Sequence, residues 1–165
     1  MVLKKSRKKF SKGYTWIFLF LMLILADRFS KLWAVTHSKD FGIVAINYAY
    51  NTGAGFSILT DYNALLLWIA VIALGLIIYF NKYFPPVARL LLISGIIGNL
   101  IDRIFLGHVI DFIDLKWFPI FNFSDSYITI GVIITAIYWF TTDLKKVKKV
   151  VKSRTSNKKL SKKKK

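Results

Sequence analysis

The chain of 165 residues carries 8 acidic side chains, and every one of them is Asp. It has no Cys. A cysteine nucleophile, a thiolate metal site and a disulfide framework are therefore excluded. Carboxylate chemistry falls to Asp27, Asp40, Asp61, Asp102, Asp111, Asp114, Asp125 or Asp143. Two of these have unusual neighbours. Asp111 sits between Val109-Ile110 and Phe112-Ile113, and Asp125 stands just after Asn122-Phe123-Ser124, where a long apolar run opens. Taken singly, Asp111 reads as a solvated loop charge and Asp125 as a helix N-cap. Taken together, two carboxylates in apolar surroundings suggest a pair that shares one proton. Such a pair is suited to acid–base chemistry.

Other polar residues interrupt apolar sequence. Asp27 and Lys31 are four apart, the spacing of an ion pair on one helix face or of a snorkelling pair at a span end. Asn99, Asp102 and Arg103 fall at i, i+3 and i+4 and also share a face; ionisable groups in apolar spans are costly and default to functional sites. Ser94 and Gly98 form a small-xxx-small pair that reads as close helix packing. His108 and Asp111, three apart, make a poor metal site, since the chain has 2 His and no H-E-x-x-H pattern. No metal and no cofactor are expected.

What must position these groups is a membrane bundle. The formal net charge is +17, yet 55% of the residues are hydrophobic, so the charge has to be segregated. Of the 25 basic residues, 6 precede Tyr14 and 12 lie from Lys145 onward, which leaves 7 against all 8 acids in between. A nucleic-acid-binding domain would carry its basic residues on a folded face, so no nucleic-acid partner is expected. The division predicted is a basic cytoplasmic N-tail (1–13), a four-span catalytic membrane domain (14–143) and a lysine-rich cytoplasmic C-tail (144–165).

The spans, each near the roughly 20 residues a bilayer requires, are Tyr14 to Val35, Tyr62 to Phe80, Val87 to Leu106 and Ser124 to Thr142. The first is not a cleavable signal, because no small-x-small site follows Ala26 and apolar sequence resumes at Phe29. Both tails and the connection around Lys82, with nearby Arg89, form the basic, cytoplasmic side. Connections 36–61 and 107–123, whose only Lys or Arg are Lys39 and Lys116, then lie outside. Ile43 to Tyr50 alternates, with Val44, Ile46, Tyr48 and Tyr50 on one side of a strand, and Asn51-Thr52-Gly53 supplies a turn. The fold class expected is an all-α integral membrane protein: four transmembrane helices with a small extracytoplasmic β-strand platform between spans 1 and 2. The charged, low-complexity tails are expected to be disordered in isolation and drawn to anionic membrane lipid.

Five segments carry a further signal. Asp27-Arg28-Phe29-Ser30-Lys31 is similar to D-Q-x-[ST]-K, with Arg28 in place of Gln. Asn51-Thr52-Gly53-Ala54-Gly55-Phe56 is similar to N-x-G-A-[AS]-[FW], and Gly95 to Arg103 to G-[GA]-x-x-G-N-x-x-D-R. Val109 to Phe112 is similar to V-V-D-F, and Phe121 to Ser126 to F-N-x-A-D-S, with Ser124 in place of Ala. In this order they resemble the type II (prolipoprotein) signal peptidases, the bacterial membrane aspartic endopeptidases, across the whole four-helix core.

The resemblance implies that Asp111 and Asp125 are the catalytic aspartates. It also implies cleavage of lipoprotein precursors before a diacylglyceryl-modified cysteine. Asp27, Asn51, Gly53, Asn99, Arg103 and Asn122 are expected around the pocket, and Lys31 and Asp102 are counted with them as substrate-binding residues. Amide donors of Asn51, Asn99 and Asn122 and the guanidinium of Arg103 would hold substrate backbone or stabilise developing negative charge. The implied location is the bacterial cytoplasmic (inner) membrane, multi-pass, with both termini cytoplasmic and the active site near the extracytoplasmic face. A small proton-coupled carrier would also need intramembrane Asp, Asn and Arg, but it would release no peptide product.

Overall fold

The protein's computed structural model describes the backbone of residues 2–53 and 62–163, and the side chains of 13–53 and 62–144. Ala54, Gly55 and Phe56 of the second motif lie outside the described residues, as do the side chains of residues 1–12 and 145–165. The elements in order are α1 (Val2–Thr36), β1 (Lys39–Asp40), β2 (Ala45–Asn51), α2 (Asn63–Tyr79), a 3-10 turn (Asn81–Tyr83), α3 (Pro86–Phe105), β3 (Val109–Asp114) and α4 (Phe123–Lys163).

The helix ends follow local chemistry. Pro86 opens α3, where its missing N–H would have no intrahelical partner anyway. Gly107 closes it by taking φ +78°, a conformation that costs a glycine nothing. The inner helix ends agree with the expected spans to one residue. The outer ends do not: α1 begins at Val2 and α4 runs to Lys163, so the tails expected to be disordered continue as helix. Lys and Arg are good helix formers, and extending an existing helix avoids the cost of nucleation.

The central helix is α3, which packs on α1, α2 and α4. Leu92, Ile96 and Leu100 of α3 form the buried core with Ile77 of α2. Glycines let α3 and α4 approach closely: a Cβ on Gly98 would collide with Ser124 Oγ and come within 2.9 Å of Asp27 Oδ2, and one on Gly95 would meet Ile128. The outward faces are apolar, with Met22 and Leu25 on α1, Trp68 and Ile72 on α2, and Ile133, Ile137 and Phe140 on α4 all exposed. Apolar surface on this scale marks contact with something other than water. Among the described residues one segment, Phe123–Leu144, is long and apolar enough by itself to cross a membrane; α2 is apolar but shorter.

The chain is mostly helical but not all-α. A three-stranded antiparallel sheet runs in the order β1-β2-β3. The strand expected between the first two spans is present as β2, but its main partner comes from the connection between α3 and α4. That correction has a physical reason: a two-stranded ribbon is marginal alone, and Val109-Ile110-Asp111-Phe112-Ile113 is a run of β-formers available to complete it. Ala49 pairs with Asp111, Tyr50 with Ile110 and Asn51 with Val109, after a bulge between Ile46 and Ala49. The Tyr50 ring stacks on His108 at 3.7 Å. Beyond β3 the chain folds back, because Ile113 and Phe121 exchange backbone hydrogen bonds.

Candidate active site

Pairing of β2 with β3 brings Asn51 beside Asp111, and the Asn51 amide donates to Asp111 Oδ2 at 2.7 Å. The other face of that amide accepts the Gly53 N–H at 2.9 Å, which forms the expected turn. Gly53 in turn offers its carbonyl to Arg103 Nη2 at 2.9 Å. A turn after the sheet is thus tied to the end of α3.

The second carboxylate is held by the first turn of α4. Asn122 is the N-cap, because its Oδ1 accepts the Asp125 N–H at 2.9 Å and Asp125 Oδ2 accepts the Asn122 N–H at 3.2 Å. This reciprocal arrangement is a capping box with Asp at the third helical position. The reading of Asp125 as the cap is corrected accordingly. Asn122 is fully buried and also bridges to the first carboxylate, its side-chain amide donating to Asp111 Oδ1 at 2.6 Å. Asn99 of α3 completes the set by donating to Asp125 Oδ1 at 2.7 Å.

Both aspartates line a cavity of about 580 Å³. Asn51, Gly53, Asn99 and Arg103 make its polar end, while Leu115, Trp117, Phe118, Phe121, Ile128 and Ile130 make apolar walls. The Nε of Arg103 has no partner among the described residues. Electrostatics distinguish the two aspartates of β3. Burial, reinforced by the neighbouring Asp125 charge, pushes Asp111 up to about 6. Three residues on, the Lys116 N–H and the Asn47 amide hold Asp114 below the ordinary carboxylate value.

Asp27, Lys31 and Asp102 do not line this cavity. They are buried and paired with one another, Lys31 Nζ lying 3.0 Å from Asp27 Oδ2 and 2.8 Å from Asp102 Oδ2. Their contacts run to one another and to the backbone of α4 and β3. Asp27 Oδ1 accepts the Ser124 N–H at 3.0 Å, capping α4 from α1, and Asp102 Oδ2 accepts the Ile110 N–H at 3.3 Å. Lys31 also donates to Asn99 Oδ1 at 3.1 Å. A chain of contacts therefore runs from this trio through Asn99 to Asp125.

Residues 19–141 match the family model for signal peptidase (SPase) II. The chain belongs to this family. It is similar to the lipoprotein signal peptidases of Streptococcus pyogenes serotypes M5 (strain Manfredo) and M3, at 43% and 42% identity over 71% of this chain and 87% of each relative. It is also similar to two solved structures described as bacterial membrane enzymes determined by the in meso method. One, at 2.3 Å resolution, gives a TM-score of 0.70 at 32% identity over 77% of this chain and 88% of that one. The other, at 1.9 Å, gives 0.66 at 33% identity over 76% and 92%.

As a signal peptidase II family member the chain is a membrane protease, and the carrier reading has no support. Two features of its site were not anticipated from sequence. One is the aromatic wall from Trp117 to Phe121, signalled only by an aromatic run after β3. The other is Arg28, whose guanidinium reaches Asp27, Asp102 and the Gly98 carbonyl. Among the described residues no three His, Cys, Asp or Glu side chains group as metal ligands would.

Proposed function

We propose that this chain removes the signal peptide of lipoprotein precursors by cutting before a diacylglyceryl-modified cysteine, with Asp111 and Asp125 as the catalytic pair. The observation that carries the reading is Asn122, which hydrogen-bonds both carboxylates at once at the polar end of an otherwise apolar cavity. A water held between the aspartates is activated by the ionised one while the protonated one polarises the scissile carbonyl. Burial and the neighbouring Asp125 raise Asp111 to about 6, as expected of a carboxyl pair that shares a proton. Asp125 accepts the Asn122 N–H at the start of α4, which holds its carboxyl beside Asp111. Arg103, anchored on the Gly53 carbonyl, and the Asn51 amide hold substrate backbone at the cavity's polar end. The wall formed by Leu115, Trp117, Phe118, Ile128 and Ile130 takes apolar substrate, including acyl chains.

This activity goes with a four-span arrangement in which α1 to α4 cross the cytoplasmic membrane and the sheet with its cavity lies at the extracytoplasmic face. The exposed apolar faces of the helices and the clustering of basic residues in the two tails support it. The tails, 1–13 and 144–165, flank the catalytic domain on the cytoplasmic side and meet anionic lipid there.

The test is cleavage of a synthetic precursor peptide by the purified protein, with and without diacylglycerol on its cysteine, read by mass spectrometry. Release of the peptide that ends just before the lipidated cysteine, undiminished by chelator, is expected. Equal cleavage of the unlipidated peptide would overturn the substrate assignment, and loss of activity in chelator would overturn the aspartic mechanism.

A further inference from the structure

Arg28 is where the chain departs from the resembled D-Q-x-[ST]-K pattern, and its surroundings explain what the departure does. Without it, Asp27, Lys31 and Asp102 would be three buried charges summing to −1. Arg28 supplies the missing positive charge. Its Nη2 donates to Asp27 Oδ2 at 2.8 Å and its Nη1 donates to Asp102. Both acids have fully buried side chains, whereas that of Arg28 is 23% exposed. The same Nη2 reaches the Gly98 carbonyl at 3.1 Å, one residue before Asn99.

Two consequences meet at Asn99. Its backbone is gripped through Gly98, and its Oδ1 accepts from both Lys31 and Asn122, so that Nδ2 faces Asp125. Were the cluster left with an excess negative charge, Lys31 would be drawn toward the two carboxylates and away from Asn99. The start of α4 depends on the same cluster, since Asp27 caps Ser124 one residue before Asp125.

We propose that Arg28 is a positioning residue for the reaction: by bringing the buried Asp27–Lys31–Asp102 cluster to zero net charge and gripping the Gly98 carbonyl, it fixes Asn99 and through it the orientation of Asp125. This inference rests on the proposed aspartic pair. The charged groups whose fields reach the pair are Asp27 and Lys31 from α1 and Arg103 from α3, and β2 brings the neutral Asn51 amide to Asp111. Removing the Arg28 charge leaves the surroundings of the pair more negative, which favours the protonated form of each catalytic carboxyl.

The experiment compares pH profiles of kcat/KM for the full-length enzyme, R28Q and R28K, acting on a diacylglyceryl-modified precursor peptide in detergent. Thermal unfolding confirms that each variant is folded. R28Q is expected to shift the whole bell to higher pH by roughly half to one unit, with kcat falling roughly tenfold and KM little changed. R28K, which keeps the charge but not the fork, should return the bell to its wild-type position. An R28Q profile that is merely scaled down without displacement would reduce Arg28 to a structural residue and overturn the proposal. So would an R28K profile displaced as far as that of R28Q, or an R28Q chain that does not fold. Failure of the wild-type enzyme to cleave, or full activity of D111N assayed alongside, would instead defeat the aspartic-pair reading itself.

Discussion

Replacing Asp111 with Asn should make the protein's stability less sensitive to pH, by an amount that follows from the site. The Asp111 carboxyl is raised from 3.8 to about 6 in the folded chain. A shift of about 2 pKa units corresponds to about 3 kcal/mol. The sign is set by which state binds the proton more tightly. Below about pH 4 the carboxyl is protonated in both states, and its full contribution to stability is present. As pH rises through about 6 the folded state must surrender a proton that the unfolded state has already lost, and that contribution disappears. The amide that D111N introduces has no proton to lose. It does replace one acceptor oxygen by a donor facing the amides of Asn51 or Asn122, a pH-independent loss of about 1–3 kcal/mol. D111N should therefore be the less stable protein at about pH 4 and gain on wild type by about 3 kcal/mol by about pH 8, or roughly 6–12 °C in Tm. Thermal unfolding of both proteins in one detergent across that range measures it. A wild-type-to-variant difference that stays flat with pH would refute the claim that Asp111 titrates from a buried, raised position.

Asp114→Asn should retain cleavage within about twofold, since Asp114 lies outside the cavity and its bonds go to Asn47 and Lys116; peptide-release assays decide this. Gly98→Ala should lose folded, active enzyme through collision with Ser124 Oγ and crowding of Asp27, an overpacking cost of about 1–3 kcal/mol or more, and Ser124→Ala in the same chain should restore part of it. Thermal unfolding of the single and double variants is the measure. Single cysteines at Ser38 and Lys116 should react with an impermeant thiol reagent on intact cells and one at Asn157 should not; the reverse pattern would invert the proposed topology.

The helices were legible because their boundaries are written locally. Pro85-Pro86 and Gly107 punctuate α3, and α2 carries no charge to confuse its limits. Asp111 and Asp125 were legible because a carboxylate among apolar residues is anomalous wherever the chain goes. What was not legible depends on distant pairing. β3 needs β2 as partner, and Asn51 and Asp111 are 60 residues apart. The grip of Arg28 on Asp102 spans 74 residues and depends on how α1 packs against α3. Reading Asp125 as the N-cap of α4 is off by three positions, although Asn122-x-x-Asp125 has the spacing of a capping box, a local signal that favours Asn122. Asp27, Lys31 and Asp102 have the composition of a ligand site. Their mutual pairing depends on how α1 packs against α3.

The central claim is that Asp111 and Asp125 act as one catalytic pair, and single-turnover cleavage of a diacylglyceryl-modified precursor by purified D111N and D125N tests it most directly. Each substitution keeps the side-chain volume but removes a group that can exchange a proton, so both variants should bind the precursor, remain folded and release no signal peptide. Release at near the wild-type rate by either variant would contradict the account.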